Sequence, residues 1–224
     1  MMKLNLQFFG GRGTGSYSGN ASAGDFIEGD EGESVDLNVA GWTPQAGHRE
    51  VNADVTMSSA EKRINGLDHE QMVVVDRYGY VVAVVDGGEH SVGLTDKARK
   101  AIKEGGIATH NHPNGGTLSR QDVISAGNIG LTEIRATSKR FKTNYSLKAT
   151  NKANGKGIAK QMKKDKKKID EQWDEKIQKI NKRKYQNEEN YLHAVYSAYN
   201  DVMGEWFDKN AKKYGYVYSS SKMK

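Results

Sequence analysis

Apolar residues change their spacing along this chain, and each change marks a different kind of element. Residues 72–75 and 80–85 are Val-rich runs on either side of Asp76-Arg77-Tyr78-Gly79, which predicts an antiparallel hairpin. A short helical stretch near residues 59–65 precedes it. Residues 95–103 read as a helix, with Thr95 as N-cap and Gly105-Gly106 as its stop. Gly106-Ile107-Ala108 then suggests a short strand ending at His110. A helix over 122–128, opened by Ser119, and strands near 133–137 and 144–148 complete the middle region. Helices interspersed among strands of mixed direction predict an α/β fold, a mixed sheet with flanking helices.

From residue 156 the period becomes helical. Met162, Ile169, Trp173, Ile177 and Ile180 recur at spacings of 7, 4, 4 and 3, an amphipathic helix with a narrow apolar seam. A second stripe, Leu192, Val195, Tyr199, Val202 and Trp206, follows the polar residues 187–190. These stripes are expected to pack as a helical hairpin or to self-associate as a coiled coil, outside the middle domain. Residues 10–40 show no period at all. They are rich in Gly and Ser, with Asp25, Glu28, Asp30, Glu31 and Glu33 among them, a composition expected to leave a flexible arm. The resulting division is an arm over 1–45, an α/β domain over 46–150 and a helical tail over 151–224.

Composition and charge refine this division. At 36% hydrophobic and a mean hydropathy of −0.79, the 224 residues are too polar to form one core over their whole length, so extensions are expected. Residues 156–184 hold twelve basic and five acidic side chains. The rest of the chain is almost neutral, so the net +6 is concentrated there. Two readings of that basic face are open, contact with nucleic acid or another acidic surface on the one hand and simply a solvated helix surface on the other, and five interleaved acids favour the second. The absence of cysteine excludes disulfides and thiolate chemistry and suits a reducing cytoplasm. No apolar run approaches the roughly 18 residues of a membrane helix, and residues 4–9 are too short and polar for a signal peptide. A soluble, unexported protein is expected, with no membrane partner.

The chemistry is concentrated in residues 109–122, Thr-His-Asn-His-Pro-Asn-Gly-Gly-Thr-Leu-Ser-Arg-Gln-Asp. On a strand, residues two apart point the same way, so His110 and His112 can converge on one ion. Pro113 and Gly115-Gly116 break the strand, and a helix opening at Ser119 swings Asp122 back as a third ligand. Three ligands with a fourth position left to water is the arrangement of a catalytic zinc; a structural zinc is closed and usually uses cysteine. Blander readings exist for each part. Ser119-x-x-Asp122 is also a capping-box pattern, and a His-x-His pair followed by Pro-Asn-Gly-Gly also fits a solvated turn. His48, His69, His90 and His193 lack ligand spacing to one another, although His69 adjoins Glu70.

Together these residues resemble the H-x-H-P…S-x-x-D signature of the JAMM (MPN-type) zinc metallopeptidases, above all their bacterial and phage versions. The resemblance covers roughly residues 65–149. It implies a mixed curved sheet, zinc held by His110, His112 and Asp122, and an upstream glutamate on an early strand as general base. Glu70, opening the strand Gln71-Met72-Val73-Val74-Val75, is the candidate, with Glu50 and Glu61 as rivals. The resemblance also implies that Ser119 helps to hold a developing oxyanion. Six residues separate His112 from Ser119, one fewer than is usual in the family, whereas the Ser-x-x-Asp spacing is kept. The opening Met2-Lys3-Leu4-Asn5-Leu6-Gln7-Phe8-Phe9-Gly10 alternates so that it can add to a partner's sheet edge, and it resembles the N-termini of structural and morphogenesis proteins of tailed phages.

Two functions are therefore expected to compete. One is a phage- or mobile-element-borne zinc peptidase or isopeptidase acting on a protein substrate in the bacterial cytoplasm. The other is a virion or morphogenesis protein that uses a JAMM-like domain as a binding or scaffold element for a phage structural protein, with the tail making the assembly contacts.

Overall fold

A computed structural model of the chain describes residues 25–26, 33–37, 51–89, 91–113 and 115–223. Met2 to Gly10, His48, Glu50 and His90 lie outside the described residues. The architecture is mixed α/β, as the periodicity predicts. Its main element is a seven-stranded sheet in the order β2-β4-β3-β6-β7-β8-β9. These strands are β2 (Glu33–Val35), β3 (Gln71–Val75), β4 (Val81–Asp86), β6 (Ile107–Asn111), β7 (Glu133–Ser138), β8 (Thr143–Ala149) and β9 (Tyr216–Lys222). A separate parallel pair joins β1 (Asp25–Phe26) to β5 (Ser91–Val92). All neighbours in the main sheet are antiparallel except β6 and β7. The parallel pair requires a crossover, which α3 (Arg120–Ile129) supplies.

Side chains alternate across the pleat, so the Val run of β3 feeds two cores. Val73 and Val75, with Val84 of β4, pack against Met57, Ala60 and Ile64 of α1 (Ala53–Ile64). Met72 and Val74 face the opposite way, into a much larger cluster. That cluster includes Ala98 and Ile102 of α2 (Asp96–Lys103), Val123 of α3, and residues of α4 (Gly155–Gln178) and α5 (Glu188–Asn210). Among the described residues no helix is long and apolar enough to cross a membrane.

Two expected boundaries are corrected. The first is the separate helical tail after residue 150. Met162, Ile169 and Trp173 of α4 and Val195, Tyr199, Val202 and Trp206 of α5 are buried in the same cluster as Met72, Ala108 and Ile134 of the sheet. At Gly127 and Gly155 the backbones of α3 and α4 touch; a Cβ on either would lie within 2.4 Å of the other's carbonyl oxygen. After α5 the chain returns as β9 and pairs along the whole of β8, from Thr143↔Lys222 to Ala149↔Tyr216. The seam that looks too narrow for an isolated helix is wide enough because α3 and the sheet fill one side of it and α5 the other. The second correction concerns residues 33–37 alone, within the flexible arm expected over 1–45. Glu33 to Val35 pair with β4, and Val35 and Leu37 pack on the α1 cluster. Backbone hydrogen bonds to an existing strand order a polar segment whose side chains alone could not.

Candidate metal centre

β6 carries the first part of the site and α3 the second. His110 is the fourth residue of β6, in register with Met72 of β3 and Ala136 of β7, so its ring enters the larger core. The strand ends at Asn111. His112 follows with its N–H still donating to the Thr137 carbonyl at 2.9 Å, which keeps it aligned with His110. The chain then turns through Pro113 to Leu118 and enters α3 with Ser119 as N-cap.

That entry is a complete capping box. The Asp122 N–H donates to Ser119 Oγ at 3.0 Å, and the Ser119 N–H donates to Asp122 Oδ2 at 2.6 Å. The capping reading of Ser-x-x-Asp is thus realised, and it also aims the carboxylate. Asp122 Oδ1 lies 3.2 Å from His110 Nε2, and Oδ2 lies 3.5 Å from His112 Nε2. The two Nε2 atoms are 2.8 Å apart. One donor atom from each of the three residues lies within 4.8 Å of the others, and all three side chains are buried to 1% exposure or less. Burial by itself raises the Asp122 carboxyl, but the adjoining His110 and His112 imidazoles outweigh it and hold the group below its ordinary value.

The surroundings suit an ion. A carbonyl can only accept, so the 3.2 Å contact of His112 Nδ1 with Gly116 O places the ring proton on Nδ1 and leaves the Nε2 lone pair for the metal. Two imidazole nitrogens and a carboxylate, without cysteine, form a donor set that imidazole-binding transition metals accept. His110, His112 and Asp122 can therefore hold a metal ion.

The expected base lies on the right face. Asn111, between the two histidines, donates from Nδ2 to the His69 carbonyl at 2.8 Å and accepts the Gln71 N–H at 2.7 Å. This clip on residues 69 and 71 leaves Glu70 directed to the other side of the sheet, the side of His110, where it is fully buried. Of its rivals, Glu61 sits on α1 across the sheet, beside Arg135 and Asn144. His69 is half-exposed against Asp68 and Asp86, and the ring of His193 lies 4.6 Å from that of Phe141. Neither histidine belongs to the three-residue metal cluster. Sequence reading missed Asn111, although an amide between two candidate ligands on a strand must face away from them and is free to clip the neighbouring strand.

Fold and site together define a mixed α/β protein with a buried two-histidine, one-aspartate cluster, able to hold a metal ion, at the carboxyl end of a sheet strand. No family model, curated protein or solved structure matches the chain.

Proposed function

We propose that the chain is a zinc-dependent peptidase or isopeptidase of the JAMM type, phage- or mobile-element-encoded, that hydrolyses an amide bond of a protein substrate. The observation that carries this reading is the convergence of His110, His112 and Asp122, with the buried Glu70 on the same face of the sheet. When bound, zinc acidifies a water molecule and polarises the scissile carbonyl. Glu70 takes the proton from the attacking water and returns it to the leaving amine, a contribution of roughly 10²–10⁴ in rate for a well-placed general acid–base group. Ser119 accepts the Asp122 N–H through its oxygen and keeps its hydroxyl proton for the developing oxyanion. The capping box holds Asp122 in place throughout.

One observation favours the second reading, a virion or morphogenesis protein with a scaffold domain. All three candidate ligands are buried, as in a metal site that braces a fold. Glu70→Gln separates the two. Incubated with a library of peptide amides and ε-lysine isopeptides, the zinc-loaded wild type cleaves, and Glu70→Gln keeps its zinc while losing roughly 10²–10⁴ in rate. Stoichiometric zinc with no cleavage by the wild type supports the scaffold reading instead.

A further inference from the structure

The turn that joins His112 to Ser119 is gripped by residues far along the chain. Asn200, on α5, accepts the Thr117 N–H through Oδ1 at 2.8 Å, and its Nδ2 donates to the Tyr145 hydroxyl at 3.4 Å. The Thr117 hydroxyl shares a 2.7 Å hydrogen bond with the Tyr218 hydroxyl on β9. Gly116 passes so close to Asn200 that a Cβ there would lie 2.0 Å from Oδ1. The loop and α5 are therefore fitted to one another at this point, and a side chain at 116 would displace the Asn200 amide. The Gly116 carbonyl is also the group that meets His112 Nδ1. A continuous set of contacts thus runs from α5, through two loop residues, to the ring of a candidate metal ligand.

We propose that Asn200 is a positioning residue of the metal centre. By holding Gly116-Thr117 it keeps the Gly116 carbonyl aimed at His112 Nδ1, so the ring carries its proton there and presents Nε2 to the ion. Groups that orient ligating histidines in this way typically contribute 10–100-fold in metal affinity. The inference makes the C-terminal third of the chain part of the site, beyond its contribution to the core. It rests on the metal-site reading proposed above, and the test keeps the two apart.

Zinc affinity is measured by chelator competition on the full chain, and the His112 ring nitrogens are followed by ¹⁵N NMR in the zinc-free protein. Asn200→Ala is expected to weaken zinc binding about 10–100-fold and to shift the His112 ring away from the Nδ1–H form. Asn200→Asp keeps the acceptor for Thr117 and is expected to restore both, whereas Asn200→Leu, of similar bulk but without an acceptor, is expected to stay weakened, which a role in packing alone would not produce. Wild-type affinity together with an unchanged His112 ring in Asn200→Ala overturns the proposal. If the wild type binds no zinc while Asn200→Ala still shifts the ring, the positioning role stands and the metal reading falls. Should Asn200→Ala not fold, Tyr218→Phe removes one hydroxyl from the same grip; a smaller weakening supports the proposal and unchanged binding overturns it.

Discussion

The two faces of the sheet each bury carboxylates, and what accompanies those carboxylates differs. On the α1 face, Arg135 lies 2.6 Å from Glu133, 2.5 Å from Asp54 and 3.5 Å from Glu61, beside a cavity of about 300 Å³ lined also by Ser58, Asn144 and Ser146. A guanidinium has donors and no lone pair, so this cluster is an ion-pair network built around a cation of the protein itself. Burial raises the Glu61 carboxyl, and Arg135 only partly offsets that. On the opposite face Asp122 meets two imidazoles, each with a nitrogen that can give a lone pair to an ion. Comparable burial of Glu61, Glu133 and Asp122, with different partners, separates an ion-pair network from a candidate metal site.

The largest expected effect removes the covering of the face that carries the candidate metal site. Ending the chain after Thr150 strips β9 from β8 and lifts α4 and α5 from the core around Ala136 and Leu147. The fragment should show no cooperative thermal transition and no near-ultraviolet circular dichroism. A fragment that melts cooperatively and binds metal would mean that the two faces are independent of the C-terminal helices. A smaller loss is expected on the α1 face. Arg135→Leu leaves Glu61 buried without its cation and Glu133 with only the exposed Lys148 at 3.4 Å, at a cost of about 3–5 kcal/mol, read as a lowered midpoint in urea with metal binding unchanged per folded molecule. Loss of zinc from that variant while it remains folded would show that the clusters are coupled through the sheet.

Much of the metal face was legible in the sequence because its contacts are local. His110 and His112 follow from strand alternation, and Asp122 from a cap three residues before it, all within one strand-turn-helix unit. The Val runs likewise reveal the β3–β4 hairpin. The rest depends on contacts between distant segments. Asn200 and Thr117 are 83 residues apart, and no local pattern distinguishes Asn200 from any other polar residue on α5. β9 reads Tyr-Val-Tyr-Ser-Ser-Ser-Lys, a polar edge strand whose order comes from its ladder with β8. The narrow seam of α4 resembles that of a free-standing helix until α3, α5 and the sheet are packed around it. β2, at the end of an acid-rich segment, was hidden in the same way, since composition registers side chains and not the backbone pairing that orders it.

The central claim is that His110, His112 and Asp122 together hold one zinc ion. The most direct measurement is metal content by mass spectrometry, after zinc loading and gel filtration, of the wild type and of His110→Ala, His112→Ala and Asp122→Ala, each checked for a folded near-ultraviolet spectrum. The account predicts one zinc per chain in the wild type and none retained in any folded ligand variant. A wild type that emerges folded and free of zinc, or folded ligand variants that keep a full equivalent, would contradict it.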